Sequence, residues 1–243
     1  MAPERALGTA SMGKVFLLAA ASRQFAAGEL ERDARLEVSP EDYVRDSGLW
    51  QFLSEKQLSA ESIASLIGAL SDNLATNALL RRVGLKAVQQ VSEDLGFPHT
   101  SMLDRIRDER SREHPEDPSR SRSADLAAIM MAIANGNLLD PGVSKDVEHW
   151  LSLNTDLSMV ASAFDIDPLA HADGTAGIRF FNKTGTDSGV RADSGHLGGA
   201  TEGWSYAAVA NWDGSSELVN EVMTSMREIG ATIRRASSHF LFG

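Results

Sequence analysis

A serine and a lysine three residues apart, Ser11 and Lys14, open the apolar run Val15-Phe16-Leu17-Leu18-Ala19-Ala20-Ala21. On a helix, positions i and i+3 share a face, so the hydroxyl and the amine stand one turn apart. A serine hydroxyl is a poor nucleophile until a neighbour takes its proton. A lysine desolvated at the base of a pocket has its pKa lowered towards the range where it does so. Two further clusters hold side chains of the same kind. Ser71-Asp72-Asn73 separates two segments of helical apolar spacing, and Lys183-Thr184-Gly185-Thr186 ends the strand-like run of residues 177–182. Each also has a plain structural reading: Ser-x-x-Lys recurs by chance, Ser-Asp-Asn caps helices, and Lys-Thr-Gly suits a strand end and turn.

Other chemistries leave no mark. The six histidines, His99, His114, His149, His171, His196 and His239, have no ligand-like spacing, and no glycine-rich loop of the phosphate-cradling kind occurs. With no cysteine there are neither disulfides nor thiolate metal sites. Neither metal nor cofactor is expected. A net charge of -11 argues against nucleic acid or an anionic membrane as partner.

The order Ser-x-x-Lys, Ser-Asp-Asn, Lys-Thr-Gly resembles the motif set of class A β-lactamases and penicillin-binding proteins. What that resemblance implies can be carried over residue by residue. Ser11 is the acylated nucleophile, Lys14 the base that takes its proton, and Ser71 the relay to the leaving nitrogen. Asn73 holds the side-chain amide of a substrate. Lys183, Thr184, Gly185 and Thr186, at the end of the strand-like run, form the substrate-binding edge, where Lys183, Thr184 and Thr186 bind the substrate's carboxylate, and the N–H groups of Ser11 and Thr186 form the oxyanion hole. Arg191 is a candidate second carboxylate contact, with a surface ion pair to Asp187 or Asp193 as its alternative. The substrate is a small molecule, a β-lactam or a peptide-like amide.

Residues 102–122, rich in Arg, Asp, Glu and Pro, read from composition as a solvated loop tied by ion pairs. The resemblance makes them an omega-shaped loop whose glutamate activates the deacylating water. Leu103-Asp104-Arg105 matches the family, but the glutamate's place then falls on Arg107. Arginine stays protonated and is no general base, so weak deacylation is expected unless a shifted loop brings in Asp108 or Glu109. The expected activity is serine hydrolysis through an acyl-enzyme on Ser11. The alternatives are transpeptidase- or sensor-like acylation without turnover, and an esterase or non-catalytic relative on the same fold.

The 243 residues, 42% hydrophobic and 23% charged, suit one globular unit. Helical spacing predicts helices over residues 11–28, 59–70, 74–84, 86–95, 124–134, 143–153 and 218–233. β-Branched and aromatic residues bounded by glycines predict three strands over 177–182, 189–198 and 203–212. The fold class is therefore α+β, with a helical subdomain over 11–153 and an antiparallel sheet subdomain with a C-terminal helix over 1–10 and 154–243. The family carries a helix and two strands before its nucleophile helix, and ten residues leave room only for a turn. The strand 203–212 then becomes an open sheet edge, and a homodimer through it is expected. Arg5 and Lys14 before residues 15–21 imitate a secretory signal, but cleavage there would remove Ser11. No run reaches the length of a membrane span. The chain as it stands reads as soluble and unexported, and as exported if its true start lies upstream.

Overall fold

A computed structural model describes residues 2–172, 178–199 and 202–241. At its centre is helix α1, Lys14–Ala26, entered through a 3-10 turn at Ala10–Gly13. Residues Val15 to Ala21 are buried on every side. A helix that is apolar all round belongs inside a core, and the others assemble about it. These are α2, Ala60–Leu70; α3, Asn73–Val83; α4, Leu85–Asp94; α5, Ser123–Ala134; and α6, Pro141–Ser152. Their starts are set by local chemistry: Ser59, Asp72 and Asp140 each accept a backbone N–H of the first turn, and Pro141 follows its cap.

Three long strands, β6 Arg179–Asp187, β7 Val190–Gly198 and β8 Gly203–Asn211, form an antiparallel sheet in the order β6-β7-β8. Phe181 and Ala192 join the helical core on one face of this sheet. Phe180, Leu197 and Tyr206 on the other form a second core with Phe164 and with Met226 of the last helix, α7, Val219–Leu241. Helix spacing, the strand triplet and the antiparallel order agree with the α+β expectation.

Several features depart from it. Lys183 to Thr186 lie inside β6 rather than at its end, because the reversal comes later, at Ser188-Gly189, where Gly189 adopts φ +69°. Residues 1–10 contain more than a turn. Leu7–Gly8 (β1) pairs with Ser119–Ser121 (β5), which also pairs with Ser101–Met102 (β4), and Arg35–Glu37 (β2) pairs with Gln57–Ser59 (β3). Strands of two or three residues are too short to show alternation. Gly177 of the expected first strand lies outside the described residues. Among the described residues no helix is long and apolar enough to cross a membrane.

β8 lies at the sheet edge. Its last residue, Asn211, brackets the backbone of Gly8: Gly8 N–H donates to Oδ1 at 3.0 Å and Nδ2 donates to the Gly8 carbonyl at 2.9 Å.

Helices α2 and α6 meet at Gly68, where an added Cβ would lie 2.1 Å from the Trp150 carbonyl oxygen. Gly68→Ala should therefore destabilise the protein by about 2 kcal/mol through overpacking, exceeding the ~1 kcal/mol that alanine gains over glycine within a helix. A lower urea midpoint checks this, and an unchanged or higher one contradicts the close approach.

Candidate active site

Ser11 sits, half-buried, in the 3-10 turn that feeds α1, where helix and sheet come together. β6 runs directly past it. A Cβ on Gly185 would stand 2.3 Å from the Thr9 carbonyl oxygen and 3.3 Å from the Ser11 nitrogen, so only glycine lets the two backbones approach this closely. From behind, the Ser119 hydroxyl of β5 donates to the Ala10 carbonyl at 2.7 Å and lies 2.9 Å from the Thr9 hydroxyl. These contacts brace Ala10, a non-glycine residue at φ +48°.

Lys14, fully buried, points from α1 to the turn between α2 and α3. Its Nζ donates to the Ser71 carbonyl at 2.6 Å, to the Ser71 hydroxyl at 3.0 Å and to Asn73 Oδ1 at 2.7 Å. Ser71 closes α2 in the left-handed conformation, φ 53°. Lys183, also fully buried, comes from β6: its Nζ donates to the same Ser71 hydroxyl at 3.0 Å and to the Thr184 carbonyl at 2.7 Å. One hydroxyl is thus shared by two buried amines.

Burial pushes the Lys14 pKa well below the ordinary lysine value and the positive charge of Lys183 pushes it further, against a weaker pull from Asp72. Burial also lowers Lys183, to about 8, with the Asp156 and Asp193 carboxylates restoring part of the loss. Asp193 is itself raised to about 6 by burial, while Asn182 Nδ2, the Ala161 N–H and the Tyr206 hydroxyl donate to it. Only a charged Lys14 donates to all three acceptors; a neutral amine has two N–H groups, for the Ser71 carbonyl and Asn73 Oδ1, and its lone pair then faces the Ser71 hydroxyl.

The rest of the Ser-Asp-Asn turn anchors residues 45–50. Asp72, fully buried, accepts from the N–H groups of Leu49 at 2.7 Å, Trp50 at 2.8 Å and Ala75 at 2.9 Å, capping α3 and fixing this segment with one carboxylate. Asn73 donates its N–H to the Ser47 carbonyl at 2.9 Å and its Nδ2 to the Arg45 carbonyl at 3.2 Å.

Arg107 spends its guanidinium on Asp104, at 2.7 and 3.1 Å, and Arg110 takes the same carboxylate at 3.1 Å. Asn77, one turn beyond Asn73, accepts from Ile106 N–H at 2.9 Å and donates to the carbonyls of Ile106 at 3.0 Å and Asp42 at 3.1 Å. The sequence reading missed Asn77, although a polar residue on the apolar stripe of α3 was its signal. It also missed Asp42 and Arg45, whose loop carries no pattern.

Arg191 turns elsewhere. Its guanidinium donates to the carbonyls of Asp187 at 2.9 Å and Val190 at 2.7 Å and stands 5.6 Å over the Trp212 ring. It therefore caps the β6–β7 turn rather than pairing with the Asp187 or Asp193 carboxylate. Thr184 and Thr186 follow Lys183 along β6, Thr184 buried opposite Asp193 and Thr186 exposed opposite Arg191. Among the described residues no cluster suited to a metal ion occurs.

The model of the beta-lactamase enzyme family matches residues 1–237. Among solved structures, a β-lactamase from Sphaerobacter thermophilus superposes with a TM-score of 0.84 at 21% identity, covering 100% of this chain and 88% of that one. A variant of the chromosome-encoded β-lactamase of Vibrio parahaemolyticus gives 0.79 at 17%, covering 97% and 88%. A variant of PBP-A, solved as an acyl-enzyme complex with penicillin G, gives 0.77 at 19%, covering 98% and 84%. No curated protein matches. At these identities the structural likeness establishes the fold.

Asp72→Ala leaves three N–H groups without their acceptor, costing about 3 kcal/mol, whereas Asp72→Asn keeps one acceptor oxygen and loses less. Urea denaturation of the two variants should rank them in that order.

Proposed function

The chain belongs to the beta-lactamase enzyme family, and from that premise we propose that it opens a β-lactam or related amide through an acyl-enzyme on Ser11. The observation that supports this reading most is the Ser71 hydroxyl held at 3.0 Å from each of two fully buried lysines, with Lys14 one helical turn from Ser11. Lys14, neutral, takes the Ser11 proton as Oγ attacks the amide carbon. The C–N bond breaks as the leaving nitrogen receives a proton through Ser71. Lys183, charged, binds the substrate carboxylate with Thr184 and Thr186. Thr186, being exposed, is the hydroxyl a carboxylate meets first. The N–H groups of Ser11 and Thr186 hold the oxyanion, each contributing about 3 kcal/mol. Arg191 serves the strand turn, and a second carboxylate contact through it requires it to leave the Asp187 and Val190 carbonyls.

Release from Ser11 is the slow step in this reading. Arg107 stands where the family's glutamate is expected and keeps a positive charge, while Asp104 is consumed by Arg107 and Arg110. This favours as second reading the long-lived acylation of a transpeptidase or sensor. A role in antibiotic resistance requires the adduct to clear.

Intact mass after adding penicillin G should rise by one ligand mass in the wild type and stay unchanged in Ser11→Ala. Persistence after free penicillin is removed marks the sensor-like reading, and decay marks a hydrolase. No adduct with several β-lactams overturns both in favour of an esterase or a non-catalytic relative.

The acylation rate should rise with pH as Lys14 loses its proton and fall again near about 8, where Lys183 loses its charge. The sign follows from roles: the base works deprotonated and the carboxylate anchor works protonated. Lys183→Arg should remove the falling limb, and stopped-flow rates across pH check both limbs.

A homodimer through the open sheet edge is part of the same proposal. The edge strand Gly203–Asn211 has neither proline nor charged residues, the features that blunt such edges. Pairing of β8 with its copy would extend the sheet antiparallel about a two-fold axis. Light scattering should give twice the mass of one chain, and a monomer overturns the pairing.

A further inference from the structure

One carboxylate on the 102–122 loop has a partner its sequence position did not suggest. Asp108 Oδ1 accepts the backbone N–H of Arg45 at 2.7 Å. The Arg45 guanidinium lies 4.0 Å from the same carboxylate and its side chain is 91% exposed, so the backbone bond is the firm contact. The carbonyl of that same residue accepts from Asn73 Nδ2, and Asn73 Oδ1 accepts from Lys14. A continuous line of hydrogen bonds therefore runs from Asp108 through the backbone of Arg45 to Asn73 and the base.

The segment that carries this line is fastened unevenly. Its later end is tied by the buried Asp72 carboxylate to the N–H groups of Leu49 and Trp50. Between lie two residues at positive φ, Asp46 at 72° and Gly48 at 128°, types that enter this region more readily than other residues. At the Arg45 end, Asp108 is the side chain that holds the N–H, and it is 40% exposed on its side chain. Asp108 rests in turn on a loop secured by Asn77 at Ile106 and by Arg105, which donates to the Glu41 carbonyl.

We propose that Asp108 is a positioning residue: by holding the Arg45 N–H it aims the Arg45 carbonyl at Asn73, and so orients the Asn73 amide for the side-chain amide of the acyl donor. The inference rests on the acyl-enzyme reading given above. It makes the 102–122 loop a support of substrate recognition, apart from any part in deacylation. Without Asp108 the Arg45 N–H turns to solvent, Asn73 loses a fixed acceptor, and Lys14 keeps its two contacts to Ser71.

The test compares wild type, Asp108→Ala and Asp108→Asn with two donors, penicillin G, which has a side-chain amide, and 6-aminopenicillanic acid, which lacks one. The second-order acylation rate with penicillin G should fall about tenfold in Asp108→Ala, as for loss of one charge-assisted hydrogen bond. It should fall much less with 6-aminopenicillanic acid. Asp108→Asn, which retains an acceptor oxygen, should recover most of the loss. Equal falls with both donors would mean general loosening of the fold and overturn the proposal, as would no fall at all. A second readout does not need acylation: in 1H–15N spectra of Asp108→Ala, the Arg45 amide should exchange faster and the Asn73 side-chain NH2 signals should move. If the wild type proves unreactive, the acyl-enzyme reading fails on its own account. The positioning then stands or falls on those signals, and unchanged signals refute it.

Discussion

Two ammonium groups cannot both be buried against one hydroxyl and keep their full charge. Desolvation penalises each, and each penalises the other. The structure breaks the tie by what lies behind each lysine. Asp156 and Asp193 stand behind Lys183 and return part of its lost basicity, whereas the larger influence on Lys14 after burial is the repulsion of Lys183 itself. Asp193, raised only to about 6, is ionised at neutral pH and so biases the charge to the sheet side. The two amines about Ser71 are therefore unequal: Lys183 keeps more of its basicity, and Lys14 is the one pushed further towards the neutral form.

That arrangement dictates the architecture around it. Lys14 and Lys183 reach the same atom only if β6 runs close to the 3-10 turn that feeds α1, and the glycine at 185 permits it. Ser71 presents its carbonyl and hydroxyl to Lys14 because α2 ends there in the left-handed conformation while α3 begins two residues later. The apolar burial of α1 on all sides holds Lys14 in place, and the two cores on either face of the sheet hold Lys183. Strain at Ala10 and Ser71 and the cost of buried charge sit where stable packing surrounds them on both sides.

The long elements were legible because their signals are local. Apolar spacing in 59–70 and 218–233 and the glycine-bounded run 189–198 each point to one secondary structure. The three polar clusters were legible as types in order, and the structure brings Ser11, Lys14, Ser71, Asn73, Lys183 and Gly185 into one place. The rest depends on contacts between residues far apart in sequence. Nothing in Leu7-Gly8 announces its pairing with Ser121, and nothing in Arg45 or Asp108 announces that the backbone of one meets the carboxylate of the other. Arg191 shows the same dependence: its strand position was legible, but its contacts to the Asp187 and Val190 carbonyls and its place over the Trp212 ring come from a turn and an indole outside its own local pattern.

The loop over residues 102–122 illustrates how stability and chemistry compete for the same groups. A general base must offer a lone pair to water, yet Asp104 gives both its oxygens to Arg107 and one of them also to Arg110. Those bonds, together with Asn77 on Ile106, hold a proline-rich segment in one conformation beside the site. A carboxylate so engaged is a poor proton acceptor, since taking a proton would break the bonds that fix the loop. Rigidity is therefore obtained by committing a carboxylate that could otherwise accept a proton, and the same loop carries Asp108, whose carboxylate meets the Arg45 N–H of the opposite loop.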